Sequence, residues 1–404
     1  VTGIGERSRV LYLTAGFPFP LSTGYLRHFH LLRELACNHH VHLLSLAGPT
    51  FQPDHLHGVE PFVDRVSTFP RTVGTRRGRL RRLLEPARPD AASLAMAAAV
   101  DDELQRGAVD VAIVSGKETV AAADRISGRA PLVVDLCDAT SYRLTQAIEL
   151  AGPMRRAGLQ IRRRSVRGIE QHLVRSADAL VTISERDRQA LHDEGAPSRV
   201  LDAEVIPNGI DLAFWQRRRA SLGDAVVFCG NLAFGPNADA ARRLVLDVMP
   251  HVWDRRPATP VIVIGRGAPP ELVAQLRHPQ VTVTGPVDDV RPHLERGAVF
   301  MAPLRIASGI QNKLLEALAM ELPVVTTTVA AAGLRSNGST PPIAVADRPV
   351  DQAAAVLRKL DGWVGRSPDR AGRTWVAQRF SWERSGARLA AIVDGLQEDR
   401  RASC

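Results

Sequence analysis

The sequence predicts an α/β fold made of two parallel, helix-covered sheets, and three observations carry that expectation. Short apolar runs of strand length alternate with helical stretches along most of the chain. The alternation stops at a Pro-Asn-Gly turn within Val205-Ile-Pro-Asn-Gly-Ile-Asp211, followed by the polar run Gln216-Arg-Arg-Arg219, and then begins again. At 404 residues the chain also suits two domains of ordinary size.

Taken in order, Val10-Leu-Tyr-Leu-Thr14 reads as the first strand, followed by the Pro/Gly-rich loop Gly16 to Gly24. A helix around Tyr25 to Cys37 and a strand Val41 to Leu46 come next. Val109 to Val114, Pro131 to Leu136 and Ala179 to Ser184 are further short buried strands. After the boundary, Ala225 to Cys229, Val261 to Ile264, Val281 to Thr284, Val299 to Leu304 and Val324 to Thr328 form a second set. Gly230, Gly265 and Gly285 follow the first three of these, and glycine at a strand's carboxyl end lets a ligand approach the backbone. The tail from about Ala353 to Glu398 is mostly helical. The expected division is residues 1–204, residues 205–375, and a C-terminal helix over 376–404 that crosses back to the first domain. Two such sheets facing one another imply a cleft.

The richest stretch is Ser308 to Val325. A strand, the loop Arg305-Ile-Ala-Ser308, a helix entered through Gly309 and ended by Glu321-Leu-Pro323, and a second strand make a βαβ unit. Ligands of such sheets sit beyond the carboxyl ends of the strands. Ile310, Leu314, Ala317 and Leu318 share a helix face that packs on the sheet, and Asn312, Lys313 and Glu316 share another. A Ser-Gly entry offers N–H groups to an anion, Lys313 adds charge, and Glu316 can accept hydrogen bonds from a sugar diol. Lys and Glu three residues apart equally make an ordinary surface ion pair, so the spacing leaves both readings open.

Composition bounds the rest. The hydrophobic fraction is 45%, and no apolar run reaches the roughly 18–20 residues that span a bilayer. The N-terminus lacks a secretory signal's apolar core, so a cytoplasmic protein is expected. Cys37, Cys137, Cys229 and Cys404 are isolated, which disfavours metal and disulfide frameworks. His39, His40 and His42 bracket a strand start and are read as a surface turn rather than a metal site.

Net charge is +9, and among 52 basic residues only Lys117, Lys313 and Lys359 are lysines. Arg76 to Arg82 and Arg155 to Arg167 form two clusters. They read either as solvated faces or as contacts for an anionic acceptor or a peripheral membrane surface. Few aromatics interleave with them, so nucleic acid is not expected.

Several motifs in register resemble the nucleotide-sugar-dependent glycosyltransferases of family four, in the sugar-transferase branch. Val205 to Asp211 is similar to the family's IPNGVD signature, and Gly230-Asn-Leu with Pro236-Asn237 to its GNxxxxPN segment. Val263-Ile-Gly-Arg-Gly267, Val283-Thr-Gly-Pro-Val-Asp-Asp289 and Pro303 to Gly309 with Lys313, Glu316 and Pro323-Val-Val325 resemble its donor-site blocks. An FPxP pattern from Phe17 to Leu35 extends the likeness to the first half.

The resemblance implies two Rossmann-like domains facing across a cleft, the GT-B architecture, with acceptor domain first and donor domain second. It implies transfer of a sugar from a nucleotide diphosphate, with retention, to an acceptor that it leaves open, with anionic and lipid-linked molecules as the candidates. No cofactor or metal is expected, because Asp288-Asp289 fits the VxD turn rather than a metal-binding DxD. Lys313, Asp138 and Arg305 are the implied catalytic residues. Gly24, Gly230, Asn231, Gly265, Gly285, Ser308, Gly309, Ile310 and Glu316 are the implied donor contacts. Ser308 stands where many members carry glutamate, and Cys137 where many carry histidine. Asp138 in Asp135-Leu-Cys-Asp138 reads either as an acceptor-side carboxylate or as a helix cap. Arg27 is expected to face solvent. A nucleotide-sugar-binding protein without transfer, or a GT-B epimerase, remain the alternatives.

Overall fold

Apolar residues on both faces of successive strands dictate sheets covered on both sides. The computed structural model describes residues 7–21, 24–71, 89–335, 338–361 and 367–403. It divides into two compact units, Val1–Gly209 with Trp382–Cys404, and Ile210–Ser381. The Arg76 to Arg82 cluster lies outside the described residues. None of the described helices is long and apolar enough to cross a membrane.

The first unit is built on seven parallel strands: β1 (Arg9–Thr14), β2 (His40–Ala47), β3 (Arg65–Pro70), β4 (Val111–Ser115), β5 (Leu132–Asp135), β6 (Ala179–Thr182) and β7 (Glu204–Val205). Their order is β3-β2-β1-β4-β5-β6-β7. Side chains alternate with period two. Leu11 and Leu13 join Leu44, Leu46, Ala112 and Val114 on one face, while Val10 and Tyr12 join Val41, Leu43 and Ile113 on the other.

The first face packs the helices Ala91–Gln105, Val120–Ile126 and Pro153–Ser176. The second packs Leu26–Leu35 and the last helix, Trp382–Ser403, through Leu389 and Val393. That last helix is held by Trp382 stacked on His30 at 4.4 Å. Ser385 Oγ adds a hydrogen bond to the carbonyl of Pro207 at 2.7 Å.

The second unit carries β8 (Ala225–Cys229), β9 (Val261–Ile264), β10 (Val281–Val283), β11 (Gly297–Ala302), β12 (Val324–Thr326) and β13 (Ala344–Val345), all parallel, in the order β10-β9-β8-β11-β12-β13. β8 and β11 are direct neighbours, with Val227 opposite Phe300. In each sheet the order reverses once, at β1/β4 and at β8/β11, and such switch points open a crevice beyond the strands' carboxyl ends.

Three sequence expectations need correction here. β3 and β13 were not foreseen, because β3 is a half-buried edge strand with polar residues and β13 has two residues. Thr328 opens the helix Thr328–Ala331 instead of closing a strand. The helix after β11 starts at Asn312, because Gly309 turns left-handed (φ +66°) and Ile310 is buried in the loop.

Candidate functional site

The helix Asn312–Ala319 buries Leu314, Leu315, Ala317 and Leu318 against the second unit, which leaves Lys313 and Glu316 on its other face. They do not pair with each other. The Lys313 ammonium donates to Asn237 Oδ1 and lies 5.4 Å above the Phe228 ring centroid. The Glu316 carboxylate accepts no hydrogen bond from the described residues. The surface ion-pair reading is thereby set aside.

Asn237 is the keystone of this arrangement. Its Nδ2 donates to the carbonyl of Asn231 at 3.0 Å while its Oδ1 receives Lys313. The loop after β8 is locked in turn to the loop after β9. Leu232 N–H donates to the Arg266 carbonyl at 2.8 Å, and Gly230 N–H to that of Ile264 at 3.0 Å. The contact is so close that a Cβ on Gly265 would lie 1.9 Å from the Gly230 carbonyl oxygen. Gly285 follows β10 with φ +69°.

Burial sets the electrostatics. It lowers the pKa of Lys313, opposed by Cys229 and Glu316. It pushes the Glu316 carboxyl up to about 7, opposed by Lys313, and the Cys229 thiol up to about 12. A half-buried carboxyl without a donor among the described residues and a half-buried ammonium held by one amide can take a ligand's hydroxyls and its phosphate charge.

Other expected site residues fall differently. Arg305 is clamped by Asp239, its Nε 2.9 Å from Oδ2, so its charge is largely matched within the unit. Ser308 accepts a hydrogen bond at its carbonyl from Gln311 Nε2, 2.8 Å. Gly24 is exposed in the first unit. The N-cap position of the helix Thr140–Glu149 is Ala139, not Asp138, and the Asp138 carboxylate pairs with Arg143 at 2.5 Å. His39 is buried, because the last helix covers it, and is not part of a surface turn.

Arg27 overturns its expectation outright. It is only 5% exposed, and its Nε donates to Asp135 Oδ2 at 2.8 Å. Its Nη1 donates to the Ile206 carbonyl at 2.8 Å and to Asn208 Oδ1 at 3.3 Å. Desolvation is outweighed by Asp135, so its pKa rises, and Asp135 is held below the usual carboxylate range. Beside it, Tyr12 Oη lies 3.2 Å from His28 Nδ1, and His28 Nε2 lies 3.4 Å from Ser115 Oγ, which donates to the Asp135 carbonyl at 3.2 Å. Burial lowers His28 to about 4 and raises Cys137, whose φ is +53°. Helical spacing alone could not show that the helix's buried side turns Arg27 toward Asp135 at the end of β5 and the Ile206–Asn208 segment after β7.

Residues 27–209 match the family described as "Glycosyl transferase 4-like domain", and residues 223–361 that described as "Glycosyl transferases group 1". The chain is of the GT-B glycosyltransferase type. This GT-B protein is 25% identical over 252 residues to the GDP-mannose-dependent alpha-(1-6)-phosphatidylinositol monomannoside mannosyltransferase of Mycolicibacterium smegmatis, a match covering 56% of the chain and 64% of the relative. The Mycobacterium tuberculosis enzyme of the same name is 24% identical over 57% of the chain and 65% of its own length. The chain thus spans less than two thirds of these relatives. Among solved structures, Anabaena HepE with UDP and glucose superposes with TM-score 0.66 at 13% identity, over 96% of this chain and 100% of that one. Sucrose-phosphate synthase of Thermosynechococcus elongatus gives 0.69 at 14% identity, over 96% and 99%. The shared fold is two Rossmann-like domains.

Proposed function

We propose that the chain transfers a sugar from a nucleotide-diphosphate donor to an acceptor hydroxyl, and that the donor binds the second unit at the carboxyl ends of β8 and β11. The observation that carries this is the Lys313–Glu316 pair of positions: an ammonium held by Asn237 and a carboxylate that accepts no hydrogen bond among the described residues.

In the reaction the bond from the sugar's anomeric carbon to the diphosphate breaks, and its electrons stay on the phosphate. The acceptor oxygen forms the new bond and passes its proton to the oxygen of the departing diphosphate. Lys313 and the backbone of the Ser308-Gly309-Ile310 turn meet the phosphate charge as it develops. Glu316 orients the ribose through its hydroxyls. Retention of configuration and independence of a divalent metal belong to the same reading, by likeness to family four. The mannosyltransferase names of the relatives favour a hexose on the donor and a lipid-linked acceptor.

Thermal unfolding measured with a panel of nucleoside diphosphates tests this. Stabilisation by at least one of them is expected in EDTA as well as with Mg²⁺ or Mn²⁺, and both Lys313→Ala and Glu316→Ala should abolish it. A shift that needs the metal, or none with any nucleotide, would sink the proposed donor site. In a transfer assay Lys313→Ala should lower kcat by roughly 100–1000-fold, as for loss of one preorganised donor.

A further inference from the structure

We propose that the N-terminal half of the helix Pro153–Ser176 in the first unit docks the chain on an anionic lipid bilayer. The inference concerns that unit alone and stands whether or not the donor site is confirmed.

From Pro153 to Arg164 no residue of this helix is buried, whereas Val166, Ile169, Leu173 and Val174 further along are core. The first three turns therefore overhang the unit. A polar surface would be expected there, yet Met154 is 94% exposed and Ile161 45%, with Leu150 just ahead of the helix 46% exposed. Met154, Ala157 and Ile161 recur at spacings of three and four, so they line one stripe. That stripe lies about a third of a turn round from the face formed by Val166, Ile169 and Leu173.

Charge completes the pattern. Residues 153–164 contain no acidic side chain and five arginines. Arg163 is engaged by Glu194 at 2.7 Å. The side chains of Arg155, Arg156, Arg162 and Arg164 have no ion pair or hydrogen bond among the described residues.

A helix with an exposed apolar stripe and a dense arginine flank is built to lie in a lipid interface, its apolar residues among the acyl chains and its guanidinium groups at phosphates. Two other occupants fit less well. A second copy of the chain on this surface would bring two sets of unneutralised arginines together. A nucleic acid would meet no aromatic side chain between Leu150 and Arg164, and would leave the apolar stripe in water.

Sedimentation of the full chain with vesicles decides the matter. Phosphatidylcholine vesicles containing phosphatidylglycerol should pellet it, and pure phosphatidylcholine should not. Raising the salt should weaken the binding. Converting Arg155, Arg156, Arg162 and Arg164 to Gln should lower partitioning about fivefold per arginine. The pair Met154→Ser and Ile161→Ser should weaken it independently. Because these residues are exposed, the variants should keep the parent's unfolding temperature and its nucleoside-diphosphate response, which separates this test from that of the donor site. Equal binding to neutral vesicles, no binding, or no loss in either variant would overturn the proposal. Equally tight binding to an oligonucleotide, or self-association abolished by the same substitutions, would do so too.

Discussion

Lys313, Asn237 and Glu316 show how one helix face acquires a function that its composition leaves open. Lys313 reaches away from Glu316 because Asn237, fixed by its own bond to the Asn231 carbonyl, offers the ammonium a better-placed acceptor. Asn237→Ala should therefore weaken nucleotide binding about tenfold, the worth of one hydrogen bond to a charged group, as titration calorimetry would show. Glu316 carries the opposite cost. Its carboxyl is raised to about 7 in the folded chain, so its contribution is fully present below its unfolded value of 4.5 and is lost as pH rises through 7. Glu316→Gln should stabilise the ligand-free second unit at pH 8 by on the order of 2–3 kcal/mol, with little gain at pH 4.5. The same variant should lose the nucleotide shift. A site residue that destabilises its own unit is what a binding function predicts and a structural one does not.

Among elements, the strand ends and the turns that follow them do most to place the site. Gly265 is required by its approach to the Gly230 carbonyl, and Gly265→Ala should force the two loops apart. A loss of about 1–3 kcal/mol in urea unfolding is expected, together with weaker nucleotide binding. On the other unit, the helix Leu26–Leu35 presents Arg27 to Asp135 and to the Ile206–Asn208 segment. Arg27→Ala leaves a buried carboxylate without its partner, and should cost about 3–5 kcal/mol. Adding Asp135→Asn should recover part of that, because the stranded charge is then gone. Strands and helices of this kind were largely legible from hydrophobic period and turn residues. The edges β3 and β13 were not, since neither has the apolar run that marks a central strand. Arg27 was misread because an arginine on a helix is ordinarily a surface residue, and only Asp135 and the Ile206–Asn208 segment, brought to it by the fold, make its place a polar pocket.

On the scale of the whole molecule, the two units should respond oppositely to mild acid. His28 and His42 in the first unit are lowered to about 4. Between their unfolded value of 6.5 and 4 the unfolded chain takes up protons that the folded one refuses, so stability falls with pH by about 1.4 kcal/mol per unit for each. Glu170 in that unit, raised to about 7 by burial, offsets one of the two. In the second unit Glu316 works toward greater stability over the same fall. Calorimetry from pH 7 to pH 4.5 should show the first unit's transition moving down while the second unit's moves up, and a parallel movement of both would contradict these assignments.

The sequence by itself determined the class of fold, the restart after Val205 to Asp211, and the stretch in which Lys313 and Glu316 lie, because period, turn chemistry and motif order are local properties of the chain. Only the tertiary structure decided which charges are matched and which are left for a ligand. Arg305 is taken by Asp239, Asp138 by Arg143 and Arg27 by Asp135, whereas among the described residues Glu316 accepts no hydrogen bond and Arg155, Arg156, Arg162 and Arg164 make no ion pair. The physical reason is that pairing depends on distances in space that sequence separation does not set: the partners lie 5 positions apart for Asp138 and Arg143, 66 for Arg305 and Asp239, and 108 for Arg27 and Asp135. No pattern along the chain encodes them.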